Sequence, residues 1–224
     1  MTALGTQPII LVGGGGHCHS VMEALRDTIW QPAGIIDKDR SLHYVKKIPV
    51  LGTDADLENL RSQYDYAIVT VGQTKYFEPR ARLFLRLKEM AYNLPVVIAS
   101  TAHVSHDAVI DEGSVILHHA IINAYARIGS NCIINTRALV EHEARVGDNC
   151  HLSTGSIVNG GAEIGDNVFI GSGSVIREGV KIGRNVIIGM GSVVRHSVPE
   201  GMMFWNGQSS PVCIPNPYLA PALS

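Results

Sequence analysis

The chain predicts a parallel β-helix preceded by a small α/β domain, and three observations carry that expectation. Every sixth residue over positions 98–194 is a branched aliphatic, seventeen in a row. Four residues after each stands a second register, from Ala102 to Val198, filled only by alanine, serine, cysteine or valine. Ahead of the beat, over residues 1–95, short apolar strands alternate instead with helical segments.

The first strand is the apolar run 9–12, which leads through the glycines 13–16 and His17 into a helix over 19–26. A second strand over 34–36 ends at Asp37, a third over 66–71 ends at Gly72, and 79–91 forms a helix rich in Arg, Lys and Leu. Strands alternating with helices imply a small parallel sheet with crossovers, a Rossmann-like arrangement. The expected division is therefore an α/β domain over 1–95, the β-helix over 96–199 and a tail over 200–224.

One large and one small inward residue per hexad is the pattern of stacked coils that share a continuous core. Three hexads close one triangular coil of about eighteen residues, which gives between five and six coils. Glycine follows the aliphatic in many repeats, as at Gly165 and Gly183, and is expected where the chain turns a tight corner.

Composition narrows the function. With 224 residues the chain is long enough for two small cores, and a formal charge of −2 provides no basic stripe for nucleic acid. No apolar run reaches membrane length, and the first eight residues, polar and uncharged, do not look like a signal peptide. A cytoplasmic protein without a membrane span is expected. The four cysteines have no metal spacing. Cys132 and Cys150, eighteen apart, should fill the same inward position on neighbouring coils. Neighbouring His118 and His119 should point apart, so no metal is expected.

Two segments carry chemistry. Glycines between a strand and a helix let backbone amides approach a phosphate at the helix N-terminus. The dinucleotide fingerprint is incomplete, because Cys18 stands where its last glycine belongs, although Asp37 lies about twenty residues on, as a ribose-binding acid would. The strand ends at 13–17, 37–38 and 72–75 should converge on the carboxyl edge of the sheet, where open α/β sheets bind ligands. In the repeat, His142 follows the inward Val140 by two residues and so falls near a corner, beside Glu143. A surface imidazole next to a carboxylate is equipped as a general base.

These motifs together resemble the bacterial sugar acetyltransferases of the PglD and NeuD type. The residues in question are the strand followed by four glycines and His17, the strand ends at Asp37 and Gly72, Asn135-Thr136, Val140-Glu141-His142-Glu143, His151 and Gly160. The resemblance implies a left-handed β-helix, a trimer, and transfer of an acetyl group from acetyl-CoA. His142 then matches the catalytic base and Glu143 the acid beside it. His151 matches a contact to the thioester end of acetyl-CoA, while Gly160, Ser172 and Met190 match its channel. Gly15, Gly16, His17, Asp37, Lys38, Gly72 and Lys75 match the nucleotide-sugar pocket.

The expected reaction is N-acetylation of a nucleotide-linked 4-amino-4,6-dideoxy sugar by direct attack on the thioester, in surface glycan synthesis. O-acetylation of a sialic acid, as in NeuD-like relatives, and a non-catalytic β-helix binding protein are the alternatives. The chain departs from the family twice. The segment from Phe204 to Pro211 replaces the usual Gly-x-Pro-Ala closure, and Gly72-Gln73-Thr74 lacks the asparagine pair common in relatives.

Overall fold

The structure, a computed structural model, describes residues 5–73, 76–206 and 211–219. Its first part contains β1 (Gln7–Val12), α1 (Gly16–Ala24), β2 (Trp30–Ile36), β3 (Tyr44–Val45) and β4 (Ile48–Gly52). A short turn then leads to α2 (Leu57–Leu60), β5 (Tyr66–Val69) and α3 (Glu78–Glu89). The strands form one sheet in the order β3-β4-β2-β1-β5, in which β1, β2, β4 and β5 run parallel. Central β1 is apolar without alternation because both its sides are covered. Ile9 and Leu11 pack with Cys18 and Val21 of α1, whereas Ile10 and Val12 pack with Leu57 of α2 and Leu87 of α3.

Three details differ from the sequence reading. The first helix starts at Gly16 rather than at position 19, because glycines at a helix start cost little where their backbone N–H groups face outward. The third strand stops at Val69, where the chain leaves the ladder. The β3–β4 hairpin, paired Tyr44↔Pro49 and Val45↔Ile48, was not foreseen, being too short and too proline-broken to show as a strand.

From Val97 onward the chain forms two-residue strands at six-residue intervals, stacked into three parallel sheets. The inward aliphatics and the small residues four positions later are buried in one continuous core, from Ile116 and Ala120 through Ile188 to Val198. Cys132 and Cys150 sit in that core as free thiols. Close coil stacking, rather than backbone conformation, explains the glycines that directly follow an aliphatic: a Cβ on Gly165 would lie 2.7 Å from the backbone N of Arg184. The left-handed backbone occurs elsewhere in each corner, at Asn131, Asn149, Asn167 and Asn185, with φ of 54°, 55°, 61° and 59°. Asparagine tolerates that conformation. Here the four amides also hydrogen-bond in series, Asn131 Nδ2 to Asn149 Oδ1 at 2.8 Å, Asn149 to Asn167 at 3.2 Å and Asn167 to Asn185 at 2.9 Å.

The prism has three unlike faces. One presents Val97, Val115, Ile133 and His151, all buried, because the α/β part lies over it. The second presents Ile121, Leu139, Ile157, Val175 and Val193, an apolar row open to solvent or only half covered. The third presents Arg127, Arg145, Glu163 and Lys181, all exposed, with a Lys181 to Glu163 ion pair of 3.0 Å. Beyond the last coil, Met203 and Phe204 of the strand Met202–Asn206 pair with Ile187 and Ile188, and Pro211–Pro215 returns antiparallel to it. The first residue of that returning strand aside, the unusual segment's residues 207–210 lie outside the described residues. Among the described residues, no helix is long and apolar enough to cross a membrane, and no cluster of three or more His, Cys, Asp or Glu could hold a metal ion.

Candidate active site at a coil corner and a sheet edge

His142 stands on the corner that joins the apolar face to the charged one, between the strands at 139–140 and 145–146. Its side chain is 63% exposed, and Nδ1 lies 3.4 Å from Glu143 Oε2, a charge contact longer than a good hydrogen bond. Glu143 takes the left-handed corner conformation, φ 59°, and Gly161 N–H of the next coil donates to His142 O at 3.0 Å. Gly160 lies flat beneath the imidazole: a Cβ there would be 2.7 Å from Cε1 and 2.8 Å from Nε2. Glu141, to which the sequence reading gave no role, braces the corner by accepting from Asn123 Nδ2 at 2.9 Å and from His142 N–H at 3.3 Å.

Ser172 and Met190 occupy the other edge of the apolar face, on the corner joining it to the covered face. Ser172 Oγ is 2.8 Å from Ser153 Oγ, and Met190 is 82% exposed. Within one chain, then, the structure brings His142, Glu143 and Gly160 together and leaves Ser172 and Met190 across the width of a face.

His151 belongs to neither corner. It points outward from the covered face into the seam with the α/β part, where its Nδ1 donates to Gln73 O at 2.6 Å and its Nε2 accepts from Asn135 Nδ2 at 3.0 Å. Those partners fix the tautomer. Burial holds its pKa down at about 4, with the Gln73 bond opposing and the Arg80 charge assisting.

At the sheet edge, Gly15 and Gly16 are exposed, and Gly15 caps α1 with no side chain, so the first amides of the helix point to open space. His17 is half-buried beside Gly72, whose Cβ, if present, would sit 3.3 Å from that of His17. Burial, then the Arg80 charge, then His151 lower the His17 pKa to about 3. Among the described residues, Nε2 of the neutral ring has no hydrogen-bond partner. Asp37 does more than the sequence suggested: its Oδ2 accepts from Gly14 N–H at 2.6 Å and its Oδ1 from Asp39 N–H at 2.9 Å, so it shapes the glycine loop itself. Asp37 and Lys38 line a cavity of about 740 Å3 that also takes in Gly13, Val71, Arg82 and Arg86. Lys75 lies outside the described residues.

An α/β domain with its ligand edge open, set against a hexapeptide β-helix that carries a histidine and glutamate pair on a corner, defines a hexapeptide-repeat acyltransferase. The sequence matches the PglD N-terminal domain over residues 8–84, the hexapeptide repeat of succinyl-transferase over 125–159 and the bacterial transferase hexapeptide over 161–196. Among solved structures it is similar to GDP-perosamine N-acetyltransferase from Caulobacter crescentus, determined with CoA and GDP-perosamine, at 32% identity over 95% of this chain and 98% of that one, with a TM-score of 0.87. The acetyltransferase domain of PglB from Neisseria gonorrhoeae, determined with acetyl coenzyme A, gives 28% identity over 94% and 100%, with a TM-score of 0.85. WeeI from Acinetobacter baumannii, at 23% identity over 93% and 100% and a TM-score of 0.81, shares the fold. No curated protein matches the sequence. The chain belongs to the PglD-type sugar acetyltransferases, acetyl-CoA-dependent enzymes whose coils form a left-handed β-helix.

Proposed function

We propose that this enzyme transfers the acetyl group of acetyl-CoA to the amino group of a nucleotide-linked 4-amino-4,6-dideoxy sugar, with His142 as general base, in the making of a surface glycan. The observation that carries the reading is the full-length similarity to an N-acetyltransferase determined with both CoA and GDP-perosamine. Two structures of that relative bear a replacement of one histidine, which is consistent with a histidine at the centre of its chemistry.

The chemistry follows from the corner. Glu143 faces Nδ1, which leaves Nε2 to take the proton from the amine as it attacks the thioester carbonyl. The carbon to sulfur bond of the tetrahedral intermediate breaks, and the proton on His142 passes to the departing thiolate, giving the amide and free thiol. The nucleotide diphosphate fits the uncapped start of α1, and the base and ribose fit the cavity that Asp37 and Lys38 line. Gly160, Ser172 and Met190 serve the acetyl-CoA channel. His151, which the resemblance puts at the thioester end of acetyl-CoA, also holds Gln73 O of the strand-end loop and so ties the acetyl-CoA side of the site to the sugar side.

A homotrimer completes this arrangement. The apolar face is the one long uncovered hydrophobic row among the described residues, and it separates the His142 corner from the Ser172 and Met190 corner. Packing that face around a threefold axis buries the row and sets one protomer's His142 corner against its neighbour's other edge. The site is then shared between subunits.

Thiol release from acetyl-CoA, measured with UDP-, GDP- and dTDP-linked 4-amino-4,6-dideoxy sugars and with free sialic acid as contrast, tests the reading. Turnover on one nucleotide sugar is the expected result and identifies the base. Turnover on sialic acid alone assigns O-acetylation, and silence on every acceptor overturns enzymatic transfer to these sugars.

A further inference from the structure

Arg80, in the first turn of α3, has no exposed surface, and among the described residues no carboxylate lies within ion-pair distance of it. A buried cation without a counter-ion is costly, and the positive end of the helix on which it sits adds to the cost. Its surroundings show what offsets this. The guanidinium donates to Val69 O at 3.0 Å and Val71 O at 3.1 Å, the carbonyls at the end of β5, and through Nε to Asn131 O at 3.2 Å on the β-helix. Asn131 is also the first rung of the amide ladder. Its Nδ2 donates down the stack, so its Oδ1, which has no donor among the described residues, is the acceptor end of four aligned amides. The cation therefore sits near the negative pole of the ladder as well as on three carbonyls.

We propose that Arg80 is a positioning residue that clamps the strand-end loop Val71-Gly72-Gln73 onto the β-helix and so sets the nucleotide-sugar site. Two ties hold the loop. Arg80 fixes Val71 O and, two residues on, His151 fixes Gln73 O from the β-helix face. Between them lies Gly72, in contact distance of His17 behind it. Nη1 reaches both loop carbonyls while Nε, two bonds away in the same plane, reaches a third on the β-helix, and among the described residues Nη2 has no partner; a lysine ammonium, with its donors on one nitrogen, cannot span the same points. Burial first, and this charge after it, disfavours protonation of His17 and His151, so both imidazoles are neutral.

The inference rests on the reading of this loop as the sugar-nucleotide site, and the test separates the two. Arg80→Met removes every donor without burying a new charge but takes the donor from three carbonyls, so thermal unfolding of the variant is measured first and kinetics are read on folded protein. Losing charged hydrogen bonds of this kind should raise the KM for the nucleotide sugar about tenfold or more. The KM for acetyl-CoA should stay within about twofold, a split that a purely structural arginine would not produce. In parallel, the His151 Nδ1 proton, followed by NMR without substrate, should lose its protection from exchange. Arg80→Lys, which restores the charge with its donors on a single nitrogen, should recover part of both. A protected His151 proton with an unchanged KM overturns the clamp, as does an equal rise in KM for both substrates. An exposed His151 proton with an unchanged KM upholds the clamp and overturns the placing of the sugar nucleotide on this loop.

Discussion

The covered and the apolar faces of the β-helix are built from the same hexads and end in opposite fates. On the covered face the outward residues are Val97, Val115, Ile133 and His151, sealed beneath the α/β part, and the polar groups among them are hydrogen-bonded one by one. On the apolar face Ile121 and Val193 are exposed and Leu139, Ile157 and Val175 only half-buried, and the histidine and glutamate pair at its edge is largely in water. A buried polar group costs free energy unless its partners are fixed, so the covered face is specified by geometry. The apolar face is specified only by what would cover it. In the proposed function, chemistry that needs a mobile proton falls at the edge of the second, and the groups that hold the substrate fall at the first.

The comparison breaks most visibly at His142. Replacing it by Ala should lower kcat by roughly two to four orders of magnitude, the usual worth of a general base. Stability should stay unchanged, since the side chain is more than half exposed. Steady-state kinetics beside thermal unfolding checks this, and undiminished kcat would remove His142 from the mechanism. Charge on the apolar face is the next lever. Ile157→Asp should leave each coil stack folded and release protomers, with activity lost in proportion to the monomer seen by light scattering. A fully active monomer would refute the shared site.

Acid tests the covered face. His17 and His151 have folded pKa values of about 3 and about 4, below the ordinary 6.5, so the unfolded chain binds their protons first. Their contribution is complete above 6.5 and is lost as pH falls from there toward the folded values. Between pH 6.5 and pH 5 each should cost about 2 kcal/mol of unfolding free energy. Denaturant titrations across that range read the slope, and His151→Phe should flatten it by about half.

How much of this was legible beforehand varies with how each residue earns its place. Periodicity exposes what repetition dictates, so the coils, the buried register and the corner position of His142 were all visible. Gly165 was readable as a glycine but not for its reason, which is a neighbouring coil eighteen residues away. Arg80 gave no signal, because in sequence it is one of several basic residues on a helix, and only the fold reveals that this one faces inward. His151 showed as a family position, yet its partner Gln73 lies 78 residues earlier. Such pairings across domains have no period and no local motif.

The smallest effect concerns the ladder that ends at Arg80, and it separates two causes that the sequence leaves joined. Asn167 is both a left-handed corner residue, φ 61°, and a rung that accepts from Asn149 at 3.2 Å and donates to Asn185 at 2.9 Å. Asn167→Gly removes the rung and leaves the backbone at ease, and should cost about 1 kcal/mol for the lost hydrogen bonds. Asn167→Ala removes the rung and adds a Cβ in a disfavoured conformation, and should cost about 1 to 2 kcal/mol more. Equal losses for the two variants would mean that the corner carries no strain and the amides alone select asparagine. A harmless glycine would mean the reverse, and would leave the three carbonyls as the sole support of the buried arginine.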